Sequence, residues 1–138
     1  MSNAIYDRAR YDLLTASLNW LTVSLKLTAW IGAPLFFPTD TTIGAIKARG
    51  AVAVGESLPI NSNTVATAGY AQTDPVLIPT VPVGPDVTWF TMSKVNIVAD
   101  NSLPLLHLDD VLGLPFTPNG LDMLVMPDWV YQRGWYRP

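Results

Sequence analysis

From Leu21 to Ile31 apolar and polar residues alternate: Leu21, Val23, Leu25, Leu27, Ala29 and Ile31 interleave with Thr22, Ser24, Lys26, Thr28 and Trp30. A period of two puts one set on each face of an extended chain, so this stretch predicts an antiparallel strand with one face buried and the other mostly polar. Val87 to Val98 predicts a second long strand, with Val87, Trp89, Val95 and Ile97 on one face. Phe90 and Met92 interrupt its alternation and point to a bulge or to burial on both sides. Before the first strand, Ile5, Ala9, Leu13 and Ala16 recur at helical spacing. They predict one short helix over residues 4–17, capped by Ser2 or Asn3 and with Asp7 favourably placed in its first turn.

Between the long strands the pattern weakens. Pro34 and Pro38 exclude a central strand or helix around them. Ile43 to Val54 reads as one strand or a short helix, and Thr64 to Gln72 as a middle strand on its Thr, Val and Tyr content. Pro75, Pro79, Pro82 and Pro85 then crowd residues 74–86, a spacing that suits an extended arm or edge-lying loop. Leu103 to Leu108 reads as a short edge strand, because Pro104 lacks a ladder donor. Thr117-Pro118-Asn119-Gly120 has the chemistry of a turn, and it predicts a hairpin joining Val111–Phe116 to Leu121–Met126. These elements together predict a single mainly β domain, an antiparallel sandwich or barrel of about six to eight strands with one N-terminal helix.

Composition changes the picture in one respect. Of 138 residues only 14% are charged and 49% are hydrophobic, against about 25% charged in an ordinary soluble domain. Disorder needs the opposite balance. So few charges point to a surface partly covered by other subunits, and hence to a homo-oligomer or a larger assembly. A net charge of −3 argues against a nucleic-acid surface. The longest apolar stretch, Leu18 to Phe37, is broken by Asn19, Lys26, Gly32 and Pro34, so it does not read as a membrane span. The first residues have no signal-peptide pattern, which reads as a protein soluble and intracellular when made.

Candidate chemistry is sparse. With no cysteine and one histidine, disulfides, thiolate metal sites and multi-histidine sites are excluded within the chain. His107, Asp109 and Asp110 can be drawn as a metal or acid–base cluster, but two ligands on one strand face do not close a site, and these residues read as surface or strand-end positions; carboxylate pairs among Asp100, Asp109, Asp110, Asp122 and Asp128 are no more specific. Gly55-Glu56-Ser57-Leu58 is not a nucleophile elbow, and neither Gly50 nor Gly55 opens a phosphate loop. No catalytic residue, cofactor or metal is therefore expected. The C-terminal segment 127–138 stands out instead, with Trp129, Tyr131, Trp135 and Tyr136 beside Arg133 and Arg137. Such residues anchor protein interfaces, stack nucleobases or sugars, or complete a core; low charge favours the interface. Pro79 and Pro82 join them as expected interface positions, since a proline-rich arm loses little entropy when it lies against a neighbour.

Ala4-Ile5-Tyr6-Asp7-Arg8-Ala9-Arg10, running on to Leu13-Leu14 and Leu18-Asn19-Trp20, resembles the opening of small virion structural proteins of tailed bacteriophages, and Asp86-Val87-Thr88-Trp89 is similar to a strand start found later in them. The resemblance covers a quarter to a third of the chain and departs from it in the proline-rich middle and at Gly134-Trp135-Tyr136-Arg137-Pro138. It implies a non-enzymatic virion protein. The expected role is a capsid decoration (cement) protein, with the major capsid protein or neighbouring virion subunits as partners. A head–tail connector or tail subunit is the alternative, and a carbohydrate-binding module the alternative from another class.

Overall fold

A computed structural model describes residues 3–65, 69–111, 113–127 and 135–136. The chain is mainly β, as expected. Its centre is a five-stranded antiparallel sheet in the order β1-β8-β7-β2-β3, formed by β1 (Ala4–Ile5), β2 (Leu25–Ile31), β3 (Val52–Glu56), β7 (Val87–Lys94) and β8 (Leu103–Leu108). Two two-stranded pairs complete it: β4 (Thr64–Val65) with β5 (Ala71–Gln72), and β6 (Val76–Ile78) with β9 (Met123–Val125). Edges β1 and β3 do not pair with each other, so the main sheet is open and not a closed barrel.

In β2 the residues Leu25, Leu27 and Ala29 are fully buried, as the alternation required, but so are Thr28 and Trp30 on the other face. Trp30 lies directly across from Trp89 of β7 with the rings stacked 5.0 Å apart at 14°. The indole N–H of Trp30 donates to Thr91 Oγ1 at 3.1 Å. Lys26, at the end of that face, is neutralised by Glu56 of β3 at 2.9 Å. The strand also starts late: Asn19 Oδ1 accepts the Leu21 amide and Asn19 O the Val23 amide, which holds residues 19–23 in a turn and leaves Leu21 exposed. The Phe90 and Met92 interruption in β7 reflects both expected causes. Residues 87 and 89–93 are buried on both faces, and the register slips between Met92 and Ser93 against β8. The strand stops at Lys94, leaving Ile97 outside it.

Helix α1 spans Asp7–Leu14, shorter than residues 4–17. Ala4 and Ile5 pair with His107 and Leu106 instead, and the N-cap is Tyr6, with no side-chain cap bond. Asn3 does not cap the helix: its Oδ1 accepts the amides of Asp109 and Asp110. This β1 contact also makes β8 an inner strand, contrary to the edge position expected, although β1 pairs only with Leu106 and His107 and leaves Pro104 unopposed on that side. Residues 43–54 split between helix α2 (Ile43–Ala48), whose Thr42 hydroxyl caps the Ala45 amide, and strand β3. The middle strand 64–72 is instead the β4–β5 pair, with Gly69 at φ +88.

The predicted C-terminal hairpin does not form. Its turn chemistry is present, with Asn119 Oδ1 accepting the Leu121 amide and Gly120 at φ +83. The chain on either side, however, goes to different partners: Phe116 bridges Val87, while β9 pairs with β6. The β6–β9 ribbon lies over the main sheet where β3 carries Gly55. A Cβ there would sit 2.8 Å from Ile78 Cγ2 and 3.4 Å from Val81 Cγ2, so only glycine lets the two layers approach this closely. Part of the proline-rich segment 74–86, expected as an extended arm or edge-lying loop, belongs to the chain's own fold as β6. Val76, Ile78 and Val81 are buried in the chain's own core, while Pro79, Pro82 and Pro85 are exposed and Pro75 is half-buried.

Candidate functional site

Of the aromatic C-terminal segment, Trp129, Tyr131, Arg133 and Arg137 lie outside the described residues. Trp135 does not stand ready for a partner. It is 2% exposed, its indole N–H donates to Thr73 Oγ1 at 2.9 Å, and its backbone N–H and C=O are held by Ala71 O and Asn3 Nδ2. Tyr136 closes the same contact, accepting the Ala71 amide at 2.7 Å, and packs half-buried on the core. The expectation of an anchor at Trp135 is corrected: its apolar surface is already consumed within the subunit.

His107 is not a surface residue either. It is 2% exposed, lies between the rings of Phe36 and Trp89 at centroid distances of 5.0 and 5.3 Å, and shares a hydrogen bond with Asp109 across 3.1 Å from Nε2. Burial pushes its pKa below the ordinary 6.5, and the Asp109 bond and charge only partly oppose this. Asp110 contributes its backbone, not its carboxylate, to Asn3. The dyad has the form of an acid–base pair, yet both side chains are under 5% exposed, so no substrate reaches it. No group of three or more metal-ligating side chains occurs among the described residues. The neighbouring cover is locked as well. Asp40, 6% exposed, takes Arg49 through both carboxylate oxygens, while the guanidinium lies 3.7 Å over the Phe37 ring. The Arg49 pKa is raised, chiefly by that hydrogen bond. Burial raises the Tyr6 hydroxyl far above its ordinary value, and the Asp40 charge adds to it.

One surface with unspent free energy is the outward face of the β6–β9 ribbon. On this antiparallel pair the inward residues Val76, Ile78, Met123 and Val125 are buried, while Leu77 and Leu124, directly opposite one another, are 48% and 59% exposed. By the same alternation Pro79 and Met126 continue that face, both of them exposed. Leu121 and Val83 extend it at one end, where the Val81 amide donates to Leu121 O and Val83 lies against Gly120. Pro82 is exposed beside Val83, so Pro79 and Pro82 border this apolar strip. Each half-exposed leucine would gain about 1 kcal/mol if covered. Sequence reasoning picked out the prolines but missed Leu77 and Leu124. The missing signal was the pairing of Val76–Ile78 with Met123–Val125, 47 positions apart.

Comparison with protein-family models, curated proteins and solved structures returns no match.

Proposed function

We propose that the chain is a non-enzymatic virion structural protein, a decoration (cement) subunit that lays the outward face of the β6–β9 ribbon on the major capsid protein. The observation that carries this reading is the half-exposed pair Leu77 and Leu124 on the outward face of a ribbon whose other face is core, with Leu121 and Val83 also exposed beside its end. A soluble subunit that keeps aliphatic side chains ordered at its surface has a use for them in association. The virion setting rests on the resemblance carried by Ala4–Trp20 and Asp86–Trp89. The large exposed side chains are mainly aliphatic; among the described residues only Tyr11 and Phe37 are aromatic, and Arg49 covers Phe37. That favours a protein partner over a sugar, which stacks on flat rings.

Purified particles test the reading. The protein is expected in hundreds of copies per particle, and Leu124→Ser combined with Val83→Ser is expected to fold normally and be lost from particles. Six or twelve copies would replace the cement role with a connector, and absence from particles would refute the virion role.

A further inference from the structure

Beside the ribbon runs a groove of about 530 Å³ between two extended stretches, Leu58–Ser62 on one wall and Asp74–Pro79 on the other. Its walls are mostly apolar, led by Leu58 at 74% exposure and Leu77. Asp74 is the single charged residue lining it, and its carboxylate has no ion-pair partner among the described residues. The wall Leu58–Ser62 is anchored by the reciprocal Leu25–Ile60 backbone bonds at 3.0 and 2.7 Å, so the groove is preformed.

At the same end of the sheet stands a complementary shape. Lys94 pairs in register with Leu25, the residue that bridges to Ile60. Immediately beyond it the chain leaves β7 in a loop that holds Ile97 fully in solvent and Val98 at 55% exposure. This loop is not loose. Val95 N donates to Ser24 O at 3.0 Å, Asn96 N to Ser102 Oγ at 3.3 Å, Val98 N to Asn96 Oδ1 at 3.1 Å and Asn101 N to Val98 O at 2.9 Å. Two β-branched side chains with few rotamers on a braced loop lose little entropy when buried. Lys94 is exposed and, like Asp74, has no ion-pair partner among the described residues. The subunit therefore carries an apolar knob beside an unspent cation and an apolar groove beside an unspent carboxylate, and its own knob leaves its own groove empty.

The geometry points to a second copy of this chain as the occupant: Ile97 and Val98 of one subunit enter the groove of the other, and Lys94 meets the other's Asp74. Because knob and groove share one end of the sheet, a two-fold axis makes the contact reciprocal and closes it as a dimer. This rests on the assembly reading above and shares Leu77 and Pro79 with the strip laid on the capsid, but Ile97, Lys94 and Asp74 lie outside that strip, so variants at those three positions separate the two.

Sedimentation equilibrium on the purified full chain at tens of micromolar tests it, with thermal melting to monitor folding. The wild-type chain is expected to be a dimer. Ile97→Asp is expected to weaken association at least tenfold with an unchanged melt, since Ile97 packs on nothing in its own subunit. Asp74→Lys and Lys94→Glu should each weaken it, and the double exchange should restore most of the loss. A monomeric wild-type chain, an Ile97→Asp variant that dimerises as before, or a charge exchange with no rescue overturns the inference. A chain that enters particles while Ile97→Asp is silent in sedimentation loses the dimer and keeps the capsid role. A chain that dimerises as described but is missing from particles does the reverse.

Discussion

Two cross-strand pairs in this protein have the same ladder geometry and opposite fates. Trp30 and Trp89 face each other at the centre of the main sheet with zero exposure. Leu77 and Leu124 face each other across the ribbon and are about half exposed. The first pair lies on the face that the β2 alternation marks as polar, and the second on a face continued by the apolar Pro79 and Met126. Alternation identifies which residues share a face; whether another layer covers that face is decided by chain segments far away in sequence. Phe36 packs on His107, which lies against Trp89, while nothing among the described residues covers the leucines.

The sharpest way to break the comparison is to remove the buried half. Trp30→Ala should cost about 3–5 kcal/mol, because it deletes a ring in a site that cannot collapse and strands the Thr91 hydroxyl. Urea unfolding measures it, and a loss near that of a surface site would mean that the face is not sealed. Trp135→Ala should follow at about 3 kcal/mol, with the Thr73 hydroxyl losing the indole donor and keeping only its bond to Asp74 O. A variant of normal stability would return Trp135 to the role of a free anchor. Gly55→Ala probes the layer contact itself and should cost about 1–3 kcal/mol, since the β-branched Ile78 has little room to retreat.

A smaller effect concerns pH. The folded state holds His107 with a pKa below the ordinary 6.5, so below that value the unfolded chain binds a proton that the folded chain resists. Stability should be complete above about pH 6.5 and decline as the pH falls below it, with a limiting slope of ~1.4 kcal/mol per pH unit for one group. Thermal melts at about pH 7 and about pH 5 on the wild type and on His107→Gln measure it. The variant should be less stable at neutral pH but flatter across that interval; an equal slope in both would assign the acid sensitivity to other groups.

Much of the architecture was readable from local pattern. The two long strands follow from Leu25–Ile31 and Val87–Lys94, and the helix from the Ala9 and Leu13 stripe, because their period is set within a few residues. What was not readable depends on distant partners. Ala4 and Ile5 look like a helix start until β8 offers them a ladder, and the Asn119-Gly120 turn looks like a hairpin until Phe116 and Met123 are drawn to different strands. His107 looks like a surface residue for the same reason: its burial comes from Phe36 and Trp89, neither near it in sequence. The candidate surface was half legible. Pro79 and Pro82 mark its border, but Leu77 and Leu124 became one surface only when β6 met β9.

The central claim is that the ribbon's inner face serves the fold and its outer face serves assembly. Its most direct test is a single preparation of the Leu124→Ser, Val83→Ser double variant carried through two assays: the free energy of unfolding and the copy number in purified particles. The predicted result is a stability within about 0.5 kcal/mol of wild type, as for other open surface sites, and particles that lack the protein. Wild-type copy number in the particles, or a variant that unfolds, would contradict it.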